Sequence, residues 1–294
     1  MGDSGDGQVA PKLTLYQRMV LRSIVRHARK HRGEPLSPED WAAVWELEDT
    51  ATARAIKRVW QALPSSPRCG MCGAPFAGLG RLVVRPLGYR PSRKNPTLCV
   101  TCVESSPPGG MKMYTGVLFA DLRDFTSRSE VTDSQAVAAL LRRFYGCAEQ
   151  VLFPEAIIDK VVGDEVMALY LPDVQRRITR EQVPGLMVDH AMGLLRAVGY
   201  DSASGPFVEM GVGLDVGEAF VGNIGERAVY DFTAIGDVVN TASRLQGQAR
   251  GGEVVLSKRV ASGLPAAIGT PVELELKGKK NVEHAYRVAL TARS

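Results

Sequence analysis

From residue 113 onward the spacing of apolar positions changes several times, and each change marks an element. "MYTGVLFADL" is a nearly continuous apolar run of strand length bounded by polar residues. In "VTDSQAVAALLRRFYGCAEQVLF" the period shifts to that of a helix, with Val137, Leu140, Leu141, Phe144, Ala148 and Val151 on one face. Its start reads as a capping box, Thr132-x-x-Gln135. Two short β-like runs follow, Ile157–Val162 and Glu165–Leu171, joined by Gly163-Asp164, a dipeptide suited to a tight hairpin turn. "VPGLMVDHAMGLLRAVGY" returns to helical spacing, and "FVEMGVGLDVGEAFVGNIG" reads as a Gly-rich β-hairpin. The order β-α-β-β-α-β predicts an α+β fold with a ferredoxin-like sheet and helices on one face.

Upstream the pattern differs. "LTLYQRMVLRSIVRHARKHRG" places Leu13, Tyr16, Val20, Ile24 and Val25 at helical spacing, and "SPEDWAAVWELEDTATARAIKRVWQALP" opens with Ser37 as N-cap and Pro38 at the first helical position. Residues 1–63 therefore read as a small helical segment whose three Trp serve packing or dimerisation. Residues 64–104 carry two Cys-x-x-Cys pairs, Cys69/Cys72 and Cys99/Cys102, with 26 residues between them. Four such thiolates suit one tetrahedral Zn²⁺, with iron or an iron–sulfur cluster as the alternative of the same ligand set. Cys147, in an apolar helical stretch, reads as core. "ESSPPGG" has linker composition, so residues 105–112 are expected to separate this metal-binding module from a catalytic domain at 113–294.

Charge refines that division. Residues 1–63 hold 10 basic and 8 acidic residues, 64–112 hold 7 and 1, and 113–294 hold 19 and 23. The middle is basic and the long C-terminal part acidic, so a polyphosphate bound there needs a divalent cation as well. Tyr89 is the only aromatic among Arg81, Arg85, Arg90, Arg93 and Lys94, which argues against a nucleic-acid stacking platform. No window is long and apolar enough for a membrane span, and "MGDSGDGQVAPK" lacks the profile of a secretory signal, so the expected location is cytoplasmic.

The acidic residues within the apolar hairpin carry the chemistry. Asp164 sits at the predicted turn, and Asp121 ends the first strand in "LFADLRDFT". In a split β-α-β arrangement these two ends are neighbours, so the carboxylates converge and could hold two divalent ions for in-line phosphoryl or nucleotidyl chemistry. The amides of Phe125 and Thr126, opening the next segment, are donors for phosphate oxygens.

Four motifs, "FADLRDFT", "KVVGDE", "YDFTAIGDVVNTASRL" and "ELKGKKNVEHAYRV", stand in the order found in the catalytic domain of class III adenylyl/guanylyl cyclases, which residues 113–289 resemble, with a bacterial-type Lys/Thr pair. The resemblance implies that Asp121 and Asp164 bind two Mg²⁺ or Mn²⁺ per active site. It implies that Lys160 and Thr233 select the base, that Asn240 positions the ribose, and that Arg244 stabilises charge on the reacting phosphate. Lys277 is the implied triphosphate ligand. Lys160 donates without accepting, and a Thr hydroxyl can accept from an amino group, so the pair suits adenine. The implied reaction is conversion of ATP to 3′,5′-cyclic AMP and pyrophosphate in a head-to-tail homodimer whose two sites each draw residues from both chains. Asp124 departs from the family's usual Gly. That departure, with the unusual front module, keeps open a weak or inactive cyclase-like sensor; a guanylate cyclase is the other alternative.

Overall fold

The computed structural model describes residues 58–290, apart from 61, 64–65, 71, 104–108, 176, 227–228, 277 and 279–281. Most of the expected N-terminal helical segment thus lies outside the described residues. In the cysteine module, the described α-helices are α1 (Gly78–Val84), followed by a 3-10 turn at Arg85–Leu87, and the single turn α2 (Val100–Val103). The remainder runs β1 (Gly109–Leu122), α3 (Phe125–Val131), α4 (Ser134–Leu152), β2 (Ile157–Val162), β3 (Glu165–Tyr170), α5 (Val183–Val198) and β4 (Met210–Glu226). It continues with β5 (Val229–Ile235), α6 (Asp237–Gln248), β6 (Glu253–Ser257), α7 (Lys258–Ser262), β7 (Thr270–Leu274) and β8 (Glu283–Ala289).

One eight-stranded sheet has the order β2-β3-β1-β4-β6-β8-β7, with β5 paired to β4 beyond that path. Its first four strands keep the ferredoxin-like order, and among the described residues only the β4–β6 pairing is parallel. Strand alternation divides two cores across the sheet. Leu118, Ala120 and Leu122 of β1 face α4 and α5, meeting Phe144, Leu152, Met187, Leu194 and Leu195. Val117 and Phe119 face the other way and share a cluster with Ala242 of α6 and with Phe76, Tyr89, Leu98 and the four paired cysteines.

The expectation of helices on one face is therefore corrected: α6 and the cysteine module cover the second face. The module is packed onto the sheet rather than held off by a spacer. Burying side chains such as Phe76, Tyr89 and Leu98 contributes on the order of 2 kcal/mol each. Trp60 joins this core edge-on to Tyr89, with ring centroids 5.6 Å apart.

Three local expectations also change. Residues 109–112 are strand rather than linker, pairing with Phe220–Asn223. Gly110 permits this, because a Cβ there would lie 2.3 Å from the Val221 carbonyl oxygen. "FVEMGVGLDVGEAFVGNIG" is not a hairpin in itself but mostly the single long strand β4, whose return strand is β5. At Gly213 the glycine provides close approach instead of a turn: a Cβ would lie 2.2 Å from the Gln246 amide nitrogen of α6. Finally, Asp133 and not Thr132 caps α4, its carboxylate accepting from the amides of Gln135 and Ala136.

Candidate active site

The β2–β3 hairpin forms as its sequence implies, with Gly163 in the left-handed region at φ 59°. Asp121 lies opposite Glu165 in the β1–β3 ladder, and the Leu122 amide donates to the Asp164 carbonyl oxygen at 3.3 Å. The strand end and the turn thus bring Asp121 and Asp164 together. Burial, then the charge of Asp164, pushes the Asp121 carboxyl up to about 7. Arg123 opposes that shift, its Nη2 standing 3.4 Å from Asp121 Oδ2, while Gln246 Nε2 donates to the same oxygen at 3.2 Å. Burial, then Asp164, also raises Glu165. Asp121 and Asp164 thus form a half-buried hard-oxygen pair, with one guanidinium nearby, whose repulsion a divalent cation would relieve. Arg123 and Gln246, which flank this set, carry no periodic signal of their own; Arg123 was legible only as a neighbour of Asp121 in sequence.

Asp124 adopts φ 54°, ψ 22°, a conformation in which Gly carries no steric cost. The Gly that the resemblance leads one to expect at this place would adopt it without strain. The Asp124 side chain is exposed, and the guanidinium of Arg123 is paired with Asp121 instead. Phe125 opens α3 and is half-buried; Thr126 is the second residue of the same helix.

Thr233, on β5, is buried, and its hydroxyl donates to Asp159 Oδ2 at 2.6 Å. Lys160 is exposed on β2 immediately beyond a register shift between Ile158 and Lys160. That irregularity turns Asp159 inward beside Thr233 while Lys160 faces out. Asp159 is further bound by Lys94 from the cysteine module: Lys94 Nζ lies 3.1 Å from Asp159 Oδ1 and donates to the Asp159 and Phe232 carbonyl oxygens at 2.9 and 2.6 Å. Burial pushes the Asp159 carboxyl above the ordinary range, opposed chiefly by Lys94 and by the Thr233 hydrogen bond. Neither Asp159 nor Lys94 stands out in sequence as a site residue, because a strand bulge and a contact across 65 residues create their roles.

On α6 the residues Val238, Thr241, Ala242, Leu245 and Gln246 are buried against the sheet, whereas Asn240 is exposed and Arg244 half-exposed. Asn240 and Arg244, one helical turn apart, thus share a face directed away from the side on which Gln246 meets Asp121. Among the described residues no hydrogen bond or ion pair joins either of them to Asp121 or Asp164. Lys277 lies outside the described residues; its neighbour Gly278 lies beside Arg244, whose Nη2 would be 3.4 Å from a Cβ there.

The paired cysteines converge. Their four sulfurs lie within 4.8 Å of one another, with Cys72 to Cys99 at 3.7 Å and Cys69 to Cys102 at 4.0 Å, and none forms a disulfide. A tetrahedron of sulfurs with metal bonds of about 2.3 Å has edges of roughly 3.8 Å. Hydrogen bonding from Cys102, then Cys72, holds the Cys69 thiol well below its usual range, and the bond to Cys69 pushes Cys102 up. A cation at the centre would remove that competition for protons. Cys147 stands apart, half-buried on α4, donating to the Ala197 carbonyl oxygen at 3.5 Å.

Comparison with known families shows which family the chain belongs to. Residues 112–288 match the family described as adenylate and guanylate cyclase catalytic domain. The chain belongs to this family. An adenylate cyclase of Anabaena cylindrica is 26% identical over 185 residues, covering 58% of this chain and 36% of that protein. The terminal-differentiation-specific adenylate cyclase of Dictyostelium discoideum is 28% identical over 204 residues, covering 62% of this chain and 9% of that one. The match therefore spans only a minor part of either relative. Among solved structures, the adenylyl cyclase CyaB from P. aeruginosa aligns with a TM-score of 0.53 at 26% identity over 61% of this chain and 95% of that one. The guanylyl cyclase Cya2 aligns with a TM-score of 0.54 at 23% identity over 61% and 93%, a likeness of fold alone. This cyclase domain starts after the cysteine module, which the family match leaves uncovered. No helix among the described residues is long and apolar enough to cross a membrane.

Proposed function

We propose that the protein is an adenylate cyclase that converts ATP to 3′,5′-cyclic AMP and pyrophosphate in a homodimer. The observation that carries this reading is the convergence of Asp121 and Asp164 within a cyclase catalytic domain. Those two carboxylates would hold two Mg²⁺ or Mn²⁺, which supply Lewis acidity to the 3′-hydroxyl and the triphosphate. Lys160 donates to adenine N1, and Thr233 accepts from the 6-amino group. The Phe125 and Thr126 amides, together with Lys277, bind phosphate oxygens. Asn240 orients the ribose, and Arg244 answers the negative charge that grows on the α-phosphate as its bond to the 3′-oxygen forms and pyrophosphate leaves. The outward face shared by Asn240 and Arg244 supports their service to the metal carboxylates of a second copy.

The four cysteines are read as holding one Zn²⁺, whose sulfur spacing they suit. Purified protein incubated with Mn²⁺ and either ATP or GTP, with products separated by chromatography, tests the reading. Cyclic AMP as the dominant product is expected. Cyclic GMP as the dominant product overturns the substrate assignment, and the absence of both overturns the activity.

A further inference from the structure

The loop between the two cysteine pairs is anchored at both ends. At its root the Ser92 amide donates to the Leu98 carbonyl oxygen at 2.8 Å, and the Cys99 amide approaches the Cys69 sulfur at 3.3 Å. At its tip, buried Asn95 donates from Nδ2 to the Pro154 and Ala156 carbonyl oxygens, each at 2.8 Å, and the Lys94 carbonyl accepts from the Ile158 amide at 2.7 Å. The cysteine cluster is thereby tied to the start of β2. From this tip the Lys94 side chain, only 14% exposed, reaches Asp159, whose side chain is fully buried, and Asp231 Oδ1 of β5 at 2.9 Å.

We propose that Lys94 is a positioning residue for nucleobase choice: by pairing with Asp159 it fixes the direction of the Thr233 hydroxyl, so that a loop of the cysteine module takes part in selecting adenine over guanine. This rests on the base-selecting role given to Thr233 above. An ionised carboxylate only accepts hydrogen bonds, so the one proton of the Thr233 hydroxyl is committed to Asp159 Oδ2. What the hydroxyl has left to offer is a lone pair. Adenine presents an amino donor at its 6-position, whereas guanine presents a carbonyl acceptor there, and two acceptors facing each other leave both unsatisfied. A neutral partner at 159 could donate to Thr233 and free its proton to turn toward guanine O6. Lys94 is the cation paired with this buried carboxylate, and it favours the charged form against burial.

The test uses the full chain with its metals, comparing wild type with Lys94→Met, Asp159→Asn and the double variant. The measurement is the ratio of kcat/KM for ATP over GTP, with the affinity ratio for the fluorescent analogues mant-ATP and mant-GTP in parallel. Each single variant should lower both ratios by about tenfold, and the double variant should lower them no further, because both changes break the same chain of contacts. A merely structural role would depress the two nucleotides alike and leave the ratios unchanged. Lys94→Met leaves a buried carboxylate unpaired and could unfold the protein. The double variant, with a neutral pair at that place, and Asp159→Asn carry the test in that event. Folded variants whose ratios stay within about twofold of wild type overturn the proposal, as does a double variant whose fall is the product of the two single falls. Wild-type protein that makes no cyclic nucleotide sinks the cyclase reading alone, since the mant-ATP to mant-GTP ratio still reads the Lys94 effect; wild type that binds both analogues equally, or neither, overturns the effect itself.

Discussion

Asp121 is a single side chain held far from its ordinary ionisation. Its carboxyl is held up to about 7 by burial first and by Asp164 second. The native, metal-free state therefore keeps a proton that the unfolded chain gives up near pH 4. Unfolded protein binds fewer protons across that window, so protein free of Mg²⁺ and Mn²⁺ should lose stability as pH rises from about 4 to about 7. Asp164→Asn removes the lesser cause, so thermal melts should show a shallower fall with pH that does not vanish. The same variant should lower the rate with Mn²⁺ by at least about a hundredfold, a loss of the size seen when one group that stabilises transition-state charge is removed. Activity and metal-free stability should thus move in opposite directions at neutral pH. A variant with near-normal turnover would remove Asp164 from the metal set.

At the scale of the element, what could be read in the chain was whatever local spacing determines. The hairpin at Gly163-Asp164, α4 and α5 all form where their apolar periods place them, and Asp121 and Asp164 meet because strand ends and turns follow from those periods. Where spacing carries two meanings, the sequence does not choose between them. The glycines of β4 resemble turn residues, yet Gly213 has no positive φ and instead lets α6 lie on the strand. Gly213→Ala tests this directly. Its methyl would meet backbone atoms of Ala242 and Gln246 at 2.2–2.3 Å, which no side-chain rotation relieves. A destabilisation of about 3 kcal/mol in urea denaturation is expected, at the upper end of the cost of overpacking. Because α6 carries Asn240 and Arg244, catalytic loss should persist at temperatures where the variant remains folded. An alanine variant with normal stability and rate would show that α6 can shift without consequence.

For the whole molecule, the second face of the sheet matters most, and local pattern could not reveal it. Two Cys-x-x-Cys pairs announce a compact module, but its position against Val117, Phe119 and Ala242 depends on contacts distant in sequence. Lys94 and Asp159 acquire their meaning only through that packing. The same limit applies to whether one chain could complete the proposed active site alone. Gln246 reaches Asp121 from the inner face of α6, while Asn240 and Arg244 lie on its outward face, so within a single copy Asp121 and Arg244 lie to opposite sides of that helix. If two copies complete each other head to tail, Asp121→Ala and Arg244→Ala should each be inactive alone yet complement when mixed. With random reassortment half of the dimers are mixed, and each mixed dimer retains one intact site of two, so cyclic AMP production should recover to about a quarter of the wild-type rate. The recovery should require time or mild dilution for exchange and should vanish when one chain carries both substitutions. If equal mixtures of exchanged, dimeric variants remained inactive, the metal carboxylates and Arg244 would have to act within one chain, and α6 would have to turn its outward face inward before catalysis.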